Sequence, residues 1–99
     1  MKHMFISHCD VNETFGNATS EERKEYFKKM KESGKEHGFD LVFWGNPWGV
    51  SESLTFVVTS EKSLDGYVEW RRAFGQKLSD AGLSSYFNTS RTITITSMP

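Results

Sequence analysis

The stretch DLVFWGNPWGVSESLTFVVT, residues 40–59, decides the fold. Its two apolar runs, residues 41–44 and 54–58, are short and rich in β-branched and aromatic side chains, which is typical of strands. The connector NPWG, residues 46–49, has Pro at the second position and Gly at the fourth, the residue order of a type I turn. The stretch therefore predicts a β-hairpin in the middle of the chain.

Upstream of the hairpin, the pattern indicates one strand and one helix. Residues 3–9 form a short apolar run, which predicts a strand, and the polar residues 10–19 predict a loop. Thr19 and Glu22 make a capping box that starts a helix, and Gly38 stands where that helix is expected to end. Apolar side chains recur at helical spacing between these signals, so the helix has one buried face.

Downstream of the hairpin, a second helix and a last strand are expected. Residues 64–81 carry an apolar stripe at helical spacing, which stops at Gly82. Residues 86–96 include the alternation RTITIT, which predicts a strand. The order βαββαβ predicts one ferredoxin-like α+β domain over residues 1–99, with a four-stranded antiparallel sheet and two helices on one face.

The strand patterns also predict what covers each face of the sheet. The face under the helices is expected to hold Leu41, Phe43, Leu54, Phe56, Val58, Ile93 and Ile95. The opposite face is expected to hold Val42, Trp44, Thr55, Val57, Thr92 and Thr94. The second surface has little charge, so we predict a homodimer in which two sheets pack face to face through it.

Composition and charge exclude several classes of function. The formal net charge is −1, and neither sign dominates either half of the chain, so we expect no nucleic-acid or membrane partner. No apolar run reaches the length of a membrane span or a signal peptide, which favours a cytoplasmic protein. Cys9 is the only cysteine, and this excludes an intrachain disulfide and a multi-cysteine metal site. We therefore expect no metal.

Three polar residues are candidates for chemistry. His8 stands at the end of the first strand and is the candidate acid–base group, with a hydrogen-bonded structural histidine as the alternative. Arg71 interrupts the apolar stripe of the second helix, where a guanidinium needs a carboxylate, a ligand anion or solvent. An ion pair and a ligand-orienting role are both open for it. Asn46 either contributes an amide to a pocket or starts the turn.

Four aromatic residues are candidates for the walls of a ligand pocket. Trp44 and Trp48 belong to the hairpin, and Tyr67 and Trp70 belong to the second helix. An apolar cavity lined by aromatic rings with a few polar tips is the usual form of a small-molecule site. These residues predict a small apolar or aromatic ligand. Under the alternative, Trp44 is interface core and Trp48 is an exposed turn residue.

The βαββαβ order, the uncharged sheet face and a second helix that begins LDGYVEWRR, residues 64–72, resemble the dimeric α/β-barrel superfamily. That group includes antibiotic-biosynthesis-monooxygenase-like, EthD-like, muconolactone-isomerase-like and YCII-like domains. The resemblance implies two sheets that close into a barrel across a two-fold axis. It also implies a pocket between sheet and helices in each subunit.

The same resemblance implies a function. Many members act on hydrophobic or aromatic molecules without a cofactor, so we expect a cofactor-independent monooxygenase or isomerase, and Asn46, Trp44, Tyr67 and Trp70 match the residue types of such pockets. Haem-degrading members present a histidine from the second helix, and this helix has none, so haem binding is the less favoured alternative. The other alternative is a non-catalytic module for ligand sensing or assembly.

Overall fold

The computed structural model describes residues 2–99, apart from the side chain of Thr89. In chain order its elements are β1 His3–Val11, α1 Glu13–Asn17, α2 Ser20–His37, β2 Asp40–Gly45, β3 Leu54–Ser60, α3 Leu64–Asp80 and β4 Phe87–Thr96. The strands form one antiparallel sheet in the order β2-β3-β1-β4. The predicted ferredoxin-like α+β fold is confirmed.

Helix α1 lies in the segment that was predicted as a loop. The Asn12 side chain accepts a hydrogen bond from the backbone N–H of Phe15 at 3.1 Å, which caps the short helix. The Phe15 ring packs edge-on against Tyr86, with the ring centres 5.4 Å apart. Local capping and one partly buried ring are therefore enough to order a segment whose composition is that of a loop.

Helix α2 begins and ends as predicted. The Thr19 hydroxyl accepts a hydrogen bond from the Glu22 backbone N–H at 3.1 Å. The Glu22 carboxylate accepts one from the Thr19 backbone N–H at 2.8 Å, which completes the capping box. Gly38 ends the helix with φ at 85°, a left-handed conformation that glycine adopts without steric cost.

The core lies between the sheet and the two long helices and is mostly aromatic. Its buried side chains include Phe5, Tyr26, Phe27, Met30, Phe39, Leu41, Phe56, Val58, Tyr67, Trp70 and Phe74. The Phe5 ring of β1 stacks on the Tyr67 ring of α3, with centres 4.6 Å apart. Cys9 is also fully buried, and burial raises the pKa of its thiol to about 11.

A β-bulge in β2 reverses the predicted faces of Phe43 and Trp44, whereas Leu41, Leu54, Phe56 and Val58 lie in the core under the helices as predicted. Leu41 pairs with Val58 on the helix side, but the register shifts before Phe43, which pairs with Val57 instead. The extra residue, Val42, turns Phe43 away from the helices, where it is 70% exposed. Trp44 correspondingly faces the helix layer. The predicted places of Phe43 and Trp44 were therefore wrong.

Strand β4 is also reversed relative to the prediction. Ile93 is opposite Ile6, and Ile95 is opposite Met4, so both isoleucines lie on the face away from the helices. Thr92 and Thr94, which alternate with them, lie on the helix side. An alternating pattern shows which residues share a face, but it does not show which face the helices cover.

The side of the sheet without helices is apolar at its centre. We call it the open face, and it holds Met4, Ile6, Phe43, Val57, Ile93 and Ile95. Four of these side chains, Met4, Phe43, Ile93 and Ile95, are exposed. The connector between β2 and β3, residues 46–53, is irregular, and among the described residues no backbone hydrogen bond closes the turn predicted at residues 46–49.

Candidate functional site

A pocket opens between α3 and β4 on the helix side of the sheet. Its volume is about 320 Å³, and we call it the α3–β4 pocket. Its lining residues are Tyr67, Val68, Arg71, Arg72, Ser90 and Thr92. Residues one turn apart on α3 and two apart on β4 lie on the same side of their elements, so the pocket follows directly from the two secondary structures. Because β4 is an edge strand, the pocket is open to solvent.

A chain of hydrogen bonds runs from this pocket into the core and back. Arg71 Nη1 donates to the Tyr67 hydroxyl at 3.0 Å, and the Tyr67 and Ser7 hydroxyl oxygens lie 2.5 Å apart. Ser7 Oγ is in turn 2.7 Å from Thr92 Oγ1. Ser7 is fully buried, whereas Arg71 and Thr92 are half-buried. The chain therefore ties α3, β1 and β4 together at the floor of the pocket.

Arg71 is held by aromatic rings. Its guanidinium carbon lies 5.0 Å from the ring centre of Phe56, 5.8 Å from that of Tyr67 and 6.0 Å from that of Phe87. Across residues 2–99, no carboxylate of a described side chain forms an ion pair with it. The positive charge also reaches the core, where it partly opposes the burial that raises the pKa of Cys9.

This arrangement leaves Arg71 with unused donors. A guanidinium has five N–H donors, and the Tyr67 hydroxyl is the only acceptor that it meets among the described side chains. Of its two predicted roles, the ion pair has no partner in the part of the chain that the structure describes. The position of Arg71 allows the ligand-orienting role, because this residue lines a pocket that opens to solvent.

His8 lies on the opposite side of the sheet from Arg71. It is 9% exposed on the open face, and its Nδ1 is hydrogen-bonded to Thr55 Oγ1 at 2.7 Å. His8 lines another pocket of about 220 Å³, with Asp10, Ser51, Glu52, Ser90 and Arg91 as the other lining residues. Ser90, on the edge strand, lines both this pocket and the α3–β4 pocket. Glu52 and Arg91 form an ion pair there, which lowers the pKa of Glu52 to about 2.

The hairpin residues gather at a third place. Trp44 and Asn46 line a pocket of about 280 Å³ beside α2. The Trp44 ring stacks on the Phe27 ring with centres 5.1 Å apart, so it belongs partly to the core. Trp48 lies on the connector and is 95% exposed.

Trp70 is buried in the core and is not among the described lining residues of these pockets. Its exposed fraction is 0%, and its Nε1 donates to Ser33 Oγ at 3.2 Å. Its ring stacks on the Phe39 ring with centres 5.4 Å apart. Of the seven predicted site residues, the structure therefore brings Tyr67 and Arg71 together in the α3–β4 pocket and Trp44 and Asn46 together in the pocket beside α2. Trp70 contacts Tyr67 from within the core, with the ring centres 5.7 Å apart.

The site also contains residues that sequence reasoning missed. Ser7, Ser90 and Thr92 supply its hydroxyl groups, and Arg72, which is exposed, adds a second positive charge. The period-two row of hydroxyl side chains on β4 was the available signal. The sequence analysis places this row on the dimer surface, because the predicted faces of β4 are the reverse of those in the structure.

A larger pocket is a poorer candidate. It measures about 550 Å³ and lies where α1, α2 and the segment after α3 meet. Its charged residues, Glu22, Glu25 and Lys29, are of mixed sign. Glu22 is occupied by the capping box, and the Tyr26 hydroxyl accepts from the Tyr86 N–H at 3.4 Å. No converging set of free polar groups of one kind is evident among its described residues.

The structure also bears on metal binding and on membrane insertion. Within residues 2–99, no three or more His, Cys, Asp and Glu side chains are grouped so that they could hold a metal ion. None of the helices in that range is long and apolar enough to cross a membrane. His37 Nδ1 is hydrogen-bonded to the Ser33 carbonyl at 2.9 Å, a contact within the last turns of α2.

Comparisons with known proteins identify the fold. No protein-family model and no curated protein matches the chain. A protein of unknown function from Rhodopseudomonas palustris aligns with a TM-score of 0.56 and 13% identity, over 99% of this chain and 83% of that one. A dimeric ferredoxin-like protein of unknown function from Thermobifida fusca aligns with a TM-score of 0.52 and 10% identity, over 96% and 90%. This chain is similar in fold to both.

Proposed function

We propose that the protein is a homodimer that binds a small molecule with an apolar or aromatic body in the α3–β4 pocket. One observation carries the proposal. Arg71 is a charged residue on the apolar stripe of α3, it lacks a carboxylate partner among the described side chains, and it lines an open pocket. Holding a guanidinium against apolar surface has a cost, which a bound ligand offsets.

The open face supports the dimer. Exposed apolar side chains form one continuous surface there, and monomeric proteins seldom leave such a surface uncovered. The ferredoxin-like protein from Thermobifida fusca is described as dimeric. Pairing through the open face leaves the α3–β4 pocket free, because Ser90 and Thr92 lie on the other side of the sheet. Each subunit of the proposed dimer would thus keep its own pocket.

The reaction that we propose is the one implied by resemblance to the dimeric α/β-barrel superfamily, a cofactor-independent monooxygenation or isomerisation. In the α3–β4 pocket, the free N–H groups of Arg71 are placed to polarise a carbonyl or enolate oxygen, and the Tyr67 hydroxyl, which accepts a hydrogen bond from Arg71, holds the guanidinium in place. Tyr67 also has a proton-transfer partner in Ser7. His8 has no part in this version, because the sheet separates it from the pocket.

A non-catalytic ligand-binding module is the second candidate. The separation of His8 from Arg71 favours it, since no described histidine or carboxylate lines the α3–β4 pocket. The two candidates differ in turnover. With an enzyme, Tyr67→Phe should abolish turnover of a bound compound while binding is kept, and with a binding module no bound compound is converted.

Binding is tested with a panel of aromatic and quinone-like compounds followed by backbone amide NMR. We expect saturable shifts centred on Tyr67, Val68, Arg71 and Thr92. Val68→Trp, which fills the pocket, should abolish these shifts. Leu64→Trp is the matched control, because Leu64 lies one turn earlier on α3 and is exposed outside the lining. Unchanged binding by Val68→Trp, or shifts centred on Trp44 and Asn46, would contradict the proposal.

A further inference from the structure

We infer that the ligand of the α3–β4 pocket carries a carboxylate, which Arg71 binds, on a small aromatic or branched apolar body. The inference rests on the proposed function, and it adds the chemical class of the ligand. It is drawn from the charges, the free donors and the size of the pocket.

The charge of the lining points to an anion. Among the described residues, Arg71 and Arg72 are the charged residues of the pocket, and no acidic side chain lines it. Cations in the Trp44 pocket, by contrast, already have partners. Arg23 donates to the Phe15 carbonyl at 3.1 and 2.8 Å, and Lys24 is 3.7 Å from the Glu21 carboxylate. Arg71 and Arg72 have no carboxylate partner among the described side chains.

The shape of the guanidinium favours a carboxylate. One edge of Arg71 is used, since Nη1 donates to Tyr67. The remaining N–H groups form a planar fork, which matches the two oxygens of a carboxylate. A guanidinium that is already fixed by three aromatic rings loses little rotamer freedom when it binds.

The hydroxyl chain supplies a further donor. Arg71 can only donate, so the Tyr67 oxygen accepts from it. In the arrangement where each hydroxyl accepts once and donates once, Tyr67 donates to Ser7 and Ser7 donates to Thr92. The proton of Thr92 then points away from Ser7. Because Thr92 lines the pocket, this proton is available to a ligand oxygen.

The other lining residues and the volume of the pocket limit the polarity and the size of the rest of the ligand. Val68 and the Tyr67 ring are its apolar surfaces. A volume of about 320 Å³ is at the lower end of the roughly 300–1,000 Å³ of ligand pockets. A one- or two-ring acid fits these limits better than a large lipid or a nucleotide.

Matched acids and amides test the inference. We would titrate the protein with 2-naphthoate and 2-naphthamide, and with phenylacetate and phenylacetamide, at low ionic strength, and follow binding by calorimetry and amide NMR. Each acid should bind at least ~10-fold more tightly than its amide, the scale of a charge-assisted hydrogen bond. Inorganic phosphate, which lacks the apolar body, should bind more weakly than either acid.

Variants locate the charge. Arg71→Gln should reduce the affinity for 2-naphthoate to that of 2-naphthamide, whereas Arg72→Gln should have a smaller effect because Arg72 is exposed. Arg71→Lys keeps the charge and should recover part of the affinity, which guards against a Gln variant that fails to fold. Thr92→Val should weaken the binding of 2-naphthoate and leave the binding of 2-naphthamide nearly unchanged.

The outcomes separate this inference from the proposed function. Equal binding of acid and amide in the pocket would overturn the inference and leave the proposed function standing, as would undiminished binding of 2-naphthoate by a folded Arg71→Gln. Phosphate that binds as tightly as 2-naphthoate would overturn the assigned ligand class. No binding of any acid would overturn the inference, and if the wider aromatic panel also fails, the proposed function falls with it.

Discussion

The hydroxyl oxygens of Ser7 and Tyr67 lie 2.5 Å apart, and their hydrogen bond joins the centre of β1 to α3 across the core. Both residues are buried. Each has another partner, because Ser7 also contacts Thr92 and Tyr67 accepts from Arg71. The bond is therefore the middle of a chain that holds the floor of the candidate site in place.

Removing this bond should cost a measurable amount of stability. Tyr67→Phe keeps the ring and deletes the hydroxyl, while Ser7 keeps Thr92 as a partner. We expect a loss of about 1 kcal/mol in the free energy of unfolding, measured by urea denaturation. Ser7→Ala should cost a similar amount. The double variant should lose less stability than the sum of the two single losses, by at least ~0.5 kcal/mol. A loss equal to that sum would show that the hydroxyl groups do not interact.

Much of the fold followed from local signals. The capping box at Thr19 and the stop at Gly38 are interactions between neighbours in sequence, so the sequence reveals them directly. The faces of the sheet depend instead on a bulge at Val42 and on which side the helices pack. Both are long-range properties, and a period of two is equally consistent with either face.

The same distinction between local and long-range signals applies to the residues of the candidate site. Arg71 was found because an arginine on an apolar helical stripe is unusual in any fold, and Tyr67 was found because aromatic side chains are typical walls of a ligand pocket. Ser7 and Thr92 were missed because their roles depend on contacts 60 and 85 residues apart in sequence. The predicted grouping of His8 with Arg71 needed both on one side of the sheet, and the strand pattern of β1 could not show which side His8 faces.

Two glycines in helices should respond to alanine in opposite directions. A Cβ on Gly34 would lie 2.8 Å from the Phe39 carbonyl oxygen and 3.3 Å from Trp70 Cζ2, so Gly34→Ala must displace the chain after α2. A Cβ on Gly75, in the middle of α3, meets nothing within 4 Å. Glycine in a helix costs up to about 1 kcal/mol relative to alanine.

We therefore expect Gly75→Ala to raise the free energy of unfolding by roughly 0.5–1 kcal/mol. Gly34→Ala should lower it by about 1–2 kcal/mol, because the clash exceeds the gain in helix propensity. Thermal or urea unfolding of both variants under one set of conditions gives the comparison. A stabilised Gly34→Ala would show that the approach of α2 to Phe39 is looser than described.

The open face can be tested against the other side of the same strand. Ile93→Lys places a charge among the apolar side chains of the proposed interface, and Thr94→Lys places one on the helix side. An isoleucine contributes about 1.5–3 kcal/mol when buried, and a two-fold interface contains it twice. Ile93→Lys should therefore weaken the dimer by at least ~100-fold.

Light scattering after size exclusion at micromolar concentration measures this effect. The unmodified protein and Thr94→Lys should run as dimers, and Ile93→Lys should run as a monomer. The reverse result, with Thr94→Lys monomeric, would place the interface on the helix side of β4. A monomeric unmodified protein would remove the dimer from the proposal.

The Glu52–Arg91 ion pair should make stability depend on pH in the acid range. The Arg91 guanidinium holds the pKa of Glu52 at about 2, below its ordinary 4.5. A carboxyl whose pKa is lower in the folded state binds fewer protons there than in the unfolded state. Its contribution is therefore present above pH 4.5 and is lost as the pH falls from 4.5 towards 2.

Glu52→Gln removes this contribution, so the variant should be less stable than the unmodified protein above pH 4.5. The two should converge near pH 2. The Arg91 side chain is 57% exposed, so the difference should be small and should shrink in high salt. Urea unfolding from pH 6 to 2, at one protein concentration, measures it. Glu21→Gln, at a pair where both partners are exposed, is the control that should leave the profile unchanged. Parallel acid profiles for Glu52→Gln and the unmodified protein would mean that Arg91 does not hold the Glu52 carboxylate in solution.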